Sequence, residues 1–447
     1  MSDSPVILAL DSSTTATKAI AFDLDGHAVA EARRDYPRNT PRPGWQEQDA
    51  TDWWRAAAEA IREVTGKLEG SGREILSLCM TYQRESFVLL DEHDAPIRPA
   101  VLWLDTRAAD QIARFGSDQV HALSGKPPST TPSLYKLIWL AEHEPQAMRA
   151  ARRVVEVHAY LTHELTGQWV TSWATADPMA VLGMSSFEYS EELLALAGLG
   201  LDQMAELRPP GSVMATVTDD VADSLGLPRD LPVVAGAGDG QSAGLGANVT
   251  TASRAYLSLG TSMTMGIHSE QYLYSRAFRT LSSPIAGSYT LEALLSSGGL
   301  CIAWFRDRLS GMDPADGPIE PRLEELAAGV PAGARGVQFL PYLTSAETPY
   351  WDANARGSFV GFSDTHGVPE LYRALLEGLA LEERVSLKRV EKATGTPVER
   401  LVVMGGGTKS PLFNQILADA LQRPIDVCAE TELNRSEERR VGKECRS

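Results

Sequence analysis

The 447-residue chain is poor in several things, and each shortage removes a class of protein. Cysteine occurs four times, at Cys79, Cys301, Cys428 and Cys445, with no C-x-x-C pair and no histidine at metal-ligand spacing. A disulfide framework and a structural zinc site are therefore not expected. Positive charge is in deficit: 41 Lys and Arg stand against 59 Asp and Glu, a net charge of −18. Such a balance argues against nucleic acid or an anionic membrane as partner. No apolar run approaches the roughly 20 residues that span a bilayer. The opening MSDSPVILALDSS lacks the basic n-region of a secretory signal. A cytoplasmic location is the expectation by exclusion. Several enzyme signatures are missing as well. Gly66-Lys67, Gly125-Lys126 and Gly442-Lys443 are not followed by Ser or Thr, so there is no P-loop. No G-x-G-x-x-G and no H-E-x-x-H occurs either.

What is present is a mixed α/β pattern. Val6 to Leu10 and Lys18 to Asp23 read as strands around the hydroxyl-rich turn DSSTTAT, and Asp25-Gly26 reads as a second hairpin turn. Residues 49–64 have helical spacing, with Asp49 or Thr51 as cap. Residues 134–141, 158–166, 370–394 and 411–421 also read as helices. Ile75 to Met80 and Phe87 to Leu90 read as strands flanking Tyr82-Gln83-Arg84-Glu85. Val233 to Gly246 reads as a strand running into a glycine-rich segment, and Leu401 to Met404 as a strand before Gly405-Gly406-Gly407. One echo links the two halves. LALDSSTTATKAIAF (8–22) and LSLGTSMTMGI (257–267) share a strand, a Ser/Thr turn and a returning strand. That separation suggests a duplicated domain core, with two unrelated hairpins as the alternative.

Three loops could handle phosphate. Ser12 to Thr15, with Ser13, Thr14 and Thr15 in the turn, offer hydroxyls and backbone N–H groups. Asp11 beside them would repel phosphate unless a divalent cation lay between, which makes it the expected Mg²⁺ partner through water. Gly260-Thr261-Ser262 offers a turn without a carboxylate. Gly405 and Gly406 let a flat ligand approach the backbone. Asp239 lies in Ala237-Gly238-Asp239-Gly240-Gln241, its carboxylate unshielded by neighbouring side chains, and could act as general base. A turn aspartate serving only its own loop is the competing reading. Arg84 and Glu85 interrupt two apolar strands and could hold the hydroxyls of a polyol, because Glu accepts where Arg donates. A surface ion pair is the plainer reading. Trp103 and Asp105 could line the same cleft, and Trp45 could either join them or simply pack.

In this order the pieces resemble the FGGY family of carbohydrate kinases, within the actin–hexokinase–heat-shock superfamily, from residue 6 to about 433. LALDSSTTATKAIAFD looks like the first phosphate motif, PGWQEQDATDWW like the segment before the first long helix, and GAGDGQSAGLGAN like the motif of the catalytic Asp. YLSLGTSMTMGI looks like the second phosphate motif and VVMGGGTKSPLFNQILADAL like the adenosine motif. The resemblance implies an α/β fold of two actin-like, ribonuclease H-like domains with the site between them. The expected spans are residues 1–246 for the sugar-binding domain and 247–434 for the nucleotide-binding domain. It implies that Asp239 takes a proton from a substrate hydroxyl, which attacks the γ-phosphate of ATP. Asp11 would hold Mg²⁺. Ser13, Thr14, Thr15, Lys18, Gly260, Thr261, Gly405, Gly406 and Lys409 would hold ATP. Gln83, Arg84, Glu85, Trp103, Asp105, Asp239 and Gln241 would hold the acceptor. The expected partners are thus a small sugar or polyol and ATP, with a homodimer left open.

The acceptor expectation is mixed. DSSTTATKAI, SLGTS and GGGTKSPLFNQILADALQRPI look closest to xylulokinases. Gln83-Arg84-Glu85 instead looks like the polyol-holding segment of glycerol kinases, where a xylulokinase usually carries Met-His. Gly240 departs from the Asn usual beside the xylulokinase base. A pentulose, xylulose first, is expected, with glycerol or erythritol next. An actin-like nucleotide-dependent binding protein and an inactive pseudokinase are the competing classes. The last thirteen residues, RSEERRVGKECRS, hold eight charges and no apolar period. They read as a scar of cloning or sequence assembly that cuts the second domain short, against the alternative of a solvated tail.

Overall fold

The computed structural model describes residues 4–428, so the expectations about the charged tail and a shortened second domain lie outside the described residues. Two six-stranded sheets organise the chain. In the first, β1 (Val6–Ser12), β2 (Ala16–Asp23) and β3 (Ala28–Asp35) run antiparallel. On the other side of β1 lie β4 (Ile75–Tyr82) and β6 (Pro232–Gly238), both parallel to it, and then the antiparallel edge strand β5 (Val213–Thr216). The second sheet repeats five of these places. Its β7 (Arg254–Leu259), β8 (Met263–Ser269) and β10 (Tyr289–Leu295) are antiparallel, and β11 (Arg400–Met404) and β12 (Ile425–Val427) add in parallel beside β7. The sixth strand, β9 (Arg279–Ser282), pairs outside β10, at the opposite edge from β5. The echo between residues 8–22 and 257–267 is thus the same hairpin at the centre of two like sheets.

In each sheet a long helix crosses from the antiparallel strands to the first of the parallel strands added beside β1 or β7. In the first half this is α1 (Thr51–Leu68), entered through Asp49, whose Oδ1 accepts from the Thr51 amide at 3.0 Å. It buries Trp53, Ala56, Ala57, Ala60, Ile61 and Val64, a stripe at helical spacing that packs on the sheet. In the second half it is α4 (Val368–Thr394), with Pro369 in its first turn and Gly395 closing it at φ 69°. A third core gathers round Phe87–Leu90 and the helix Ser133–His143, forming a lobe of the first half. The glycine-rich stretch after Val233 differs from expectation. It is a helix, α2 (Asp239–Gly246), and Asp239 opens it rather than sitting in a loop. Among the described residues, no helix is long and apolar enough to cross a membrane.

Candidate active site

The register of the first sheet brings the acidic candidates to one edge. Asp11, Thr81 and Ala237 lie side by side on β1, β4 and β6, as do Ser12, Tyr82 and Gly238 one residue on. Asp11 and Asp239 therefore leave two parallel strands, one on each side of β4, at the same end. Asp11 is buried, and across the β1–β2 hairpin it faces Lys18, which is half-buried. Ser13, Thr14 and Thr15 form the turn, closed by the Ser13 amide and hydroxyl on the Ala16 carbonyl at 2.9 Å. Thr14 is clasped from two sides. Gln48 Nε2 donates to its carbonyl at 2.6 Å, and Trp103 Nε1 donates to its hydroxyl at 3.0 Å.

Asp239 is the most open of these acids, its side chain 41% exposed. Both of its polar contacts fall on Oδ1: the Gly240 amide at 2.8 Å and Arg84 Nε at 2.8 Å. Among the described residues Oδ2 makes no hydrogen bond. The flanking glycines have a definite use here. A Cβ on Gly238 would stand 2.5 Å from the Arg84 stem, and one on Gly240 would stand 2.8 Å from a Glu292 oxygen. The G-D-G pattern thus admits a guanidinium and a second carboxylate beside the aspartate.

Glu85 is buried and the Arg84 side chain is only 10% exposed, so the two do not form the surface pair that the plainer reading gave them. Each reaches a residue of the second sheet. Arg84 Nη1 donates to Glu292 Oε2 at 2.9 Å, and Glu85 Oε1 accepts from Arg279 Nη1 at 2.7 Å. Glu85 makes this turn with φ at 60°. Arg279 and Glu292 face each other in the β9–β10 register, and Arg279 Nε donates to Glu292 Oε1 at 2.6 Å. Burial alone would push the Glu292 carboxyl up, but the guanidiniums of Arg279 and Arg84 outweigh it and hold it at about 2. Burial works against the charged form of Arg84 too, yet Glu292 and Asp239 keep its pKa well above the ordinary arginine value.

The remaining acceptor candidates are placed behind this line. Gln83 is buried, donating to Gln48 and accepting from Ser86. Asp105 is fully buried and spends its oxygens on Arg107 and the Gln46 amide, so it anchors that arginine and the neighbouring backbone. Trp45 lies under the same Arg107, 3.8 Å from its guanidinium, which is the packing alternative. Gln241 is buried, and its amide donates to Ala174 and Ser282, linking the halves. Trp103 is half-buried, and its carbonyl accepts from Lys136 at 3.2 Å. Burial presses the Lys136 ammonium down to about 8.

In the second half, Gly260 and Thr261 form the β7–β8 turn. Their carbonyls accept from the Gly299 and Leu300 amides at 2.9 and 3.0 Å, at the start of α3 (Gly298–Arg308). Gly405, at the end of β11, has φ 90° and lies against Leu259, so the adenosine-like loop adjoins this turn. A Cβ on Gly406 would meet nothing within 4 Å, and Gly406 and Lys409 are exposed. A flat ligand could lie against that backbone. The sequence reading passed over Arg279, Glu292, Gln48 and Gly298-Gly299. Glu292 did leave a signal, as the one charge in the mostly apolar strand YTLEALL.

One test bears on a cation. Among the described residues the only trio of ligating side chains within mutual reach is Asp23, Asp25 and His27, in an exposed turn. Asp11 belongs to no such trio. A cation beside it would take its other ligands from water and phosphate oxygens, which suits Mg²⁺.

Comparison with known proteins agrees with this architecture. Residues 6–246 match the N-terminal domain of the FGGY family of carbohydrate kinases, and residues 255–434 match its C-terminal domain. The chain is 29% identical over 428 residues to a xylulose kinase of Escherichia coli K12, covering 94% of this chain and 85% of that protein. It is 28% identical over 430 residues to a glycerol kinase of Thermococcus onnurineus, with coverage of 94% and 85%. The solved xylulose kinase of Rhodospirillum rubrum superposes with a TM-score of 0.89 at 30% identity, over 94% of this chain and 86% of that one. With both halves matched and the two-sheet plan in place, the chain belongs to the FGGY family of carbohydrate kinases, ATP-dependent phosphotransferases.

Proposed function

We propose that the chain phosphorylates a hydroxyl of a pentulose, xylulose first, with Mg²⁺–ATP as donor and Asp239 as general base. The observation that carries the reading is the state of Asp239. Arg84 and the Gly240 amide anchor one oxygen, and the other has no hydrogen-bond partner among the described residues. A carboxylate held at one oxygen can take a proton at the other without turning away. Arg84 and Glu85 each keep a polar atom free of hydrogen bonds among the described residues, Nη2 and Oε2, for the acceptor's other hydroxyls. The indole of Trp103 offers an apolar wall, and its N–H ties that wall to the first phosphate turn.

Bound beside Asp11, Mg²⁺ would neutralise charge on the terminal phosphates. The two turns, Ser13 to Thr15 and Gly260–Thr261, would hold phosphate oxygens, with Lys18 adding charge. Gly405, Gly406 and Lys409 would lie along the nucleoside. Phosphoryl transfer asks mainly for such positioning and charge balance. A second acceptor class, glycerol or erythritol, is favoured by Arg84-Glu85 at this place and by the similarity to a glycerol kinase. The test is an ATP-consumption screen over pentuloses, hexuloses, glycerol and erythritol. Turnover with a pentulose supports the first reading, turnover with glycerol or erythritol alone replaces it with the second, and turnover with none overturns both.

A further inference from the structure

Five buried or half-buried charges alternate in sign along a single line: Asp239, Arg84, Glu292, Arg279, Glu85. The line crosses between the halves twice, at Arg84–Glu292 and at Arg279–Glu85. We propose that Glu292 and Arg279 are positioning residues for the acceptor site: Glu292 holds Arg84, and through it Asp239, while Arg279 holds Glu85. This rests on the reading of Asp239 as the base and of Arg84 and Glu85 as acceptor ligands.

The geometry gives each residue a distinct task. Glu292 is fully buried and divides its two oxygens between the arginines, Oε2 to Arg84 and Oε1 to Arg279. Without it, Arg84 would have Asp239 as its only carboxylate partner. A base drawn fully onto a guanidinium is fixed in place but gives up proton affinity. Arg279 uses three nitrogens on two acids: Nε and Nη2 on Glu292, and Nη1 on Glu85. A planar fork can do this and a single ammonium cannot. Without Arg279, Glu85 Oε1 would lose its hydrogen-bonded cation, a costly state for a buried carboxylate that leaves its orientation unfixed. The Tyr256 hydroxyl adds a long contact to Glu292 at 3.4 Å. The side chains expected to hold the acceptor thus come from the first half, while the pair that orients them comes from the second. The acceptor site is complete only when the halves are docked, so an acceptor that fits it favours docking.

Three variants of the full chain test this against wild type, with KM for ATP and for the acceptor, kcat and Tm all measured. Glu292→Gln keeps the shape and removes the charge. It is expected to lower kcat about 10²-fold, the cost of a misplaced reacting group, with KM for ATP within about twofold of wild type. The double variant Arg279→Gln/Glu292→Gln removes one charge of each sign. The line carries three acids and two arginines before and two acids and one arginine after, so the net −1 is kept. If the pair only compensates buried charge, the double variant regains wild-type kcat, and the inference falls. If the pair positions, Tm recovers relative to Glu292→Gln and kcat stays low. Arg279→Lys keeps the charge but not the fork, and is expected to raise the acceptor KM roughly tenfold, as for a lost charge-assisted hydrogen bond. It decides the matter if neither of the other variants folds: an unchanged acceptor KM overturns the inference. Wild type that turns over no acceptor in the screen overturns the functional reading itself, a result separate from any of these.

Discussion

The two central hairpins share one plan and are braced by opposite means. One rung back from the turn, the first pairs Asp11 with Lys18, where the second pairs Ser258 with Thr264. The first turn is held by side chains from afar: Gln48 and Trp103 on Thr14, and the Tyr36 hydroxyl on the Ser13 carbonyl. The second is held by backbone amides at the start of α3, with Gly299 packed so closely that a Cβ would stand 2.4 Å from the Gly260 carbonyl. A duplicated backbone can therefore hold two different chemistries. The half with a carboxylate suits a cation, and the half without one suits bare phosphate oxygens. The same contrast runs through the crossover helices. Apart from Thr65, α1 buries only apolar residues, while α4 buries Glu382 and Glu383 as well.

Five substitutions probe this contrast, four in descending size of effect and Ser258→Ala as the control for Asp11→Asn. If the first half alone supplies the chemistry, Asp239→Asn lowers kcat by about 10²–10⁴-fold and leaves ATP binding nearly intact. Calorimetry of ATP binding beside steady-state kinetics checks both parts. Asp11→Asn raises the Mg²⁺ concentration for half-maximal rate by about 10–100-fold, as for a residue acting through a metal's outer shell. Ser258→Ala, at the matching rung, leaves that concentration unchanged. Equal responses would mean that the rungs do not divide the labour. Gly299→Ala pushes on the second turn and lowers stability by about 1–3 kcal/mol, read by urea unfolding. The smallest change is Glu383→Gln. Burial, with Glu382 beside it, pushes the Glu383 carboxyl up to about 8. The folded chain then keeps a proton that the unfolded chain releases above about 4.3. Stability from this group is fully present at low pH and is lost as pH rises through that window. Glu383→Gln removes the loss, so Tm rises at pH 8 and stays level at pH 4.

Much of the scaffold was legible because it rests on local pattern. The helix at 411–421 appears as read, and the strand at Phe87–Leu90 has the bounds the sequence suggested. The echo of the two hairpins was legible because a turn between two apolar runs must place its small polar residues at the tip. The glycine-rich stretch after Val233 misled, because glycine is a poor helix former. Tertiary contact overrides that preference: Tyr256 takes the space a Cβ would fill at Gly244, and Arg84 and Glu292 do so at Gly238 and Gly240. Arg279 and Glu292 were illegible for a different reason. They lie roughly 200 positions from Arg84 and Glu85, and nothing in spacing links residues that meet only across two domains.

The crowding at Gly240 has a consequence for how this chain can change. The volume a side chain would need at 240 is already taken by Glu292 and Arg84. Positions 84 and 240 are therefore one locus written in two places. A larger residue at 240 requires Arg84 and Glu292 to give way, and a shorter residue at 84 leaves space that growth at 240 can take up. A change of size at one position must be matched at the other, or the chain passes through an intermediate with either a clash or a hole beside Asp239.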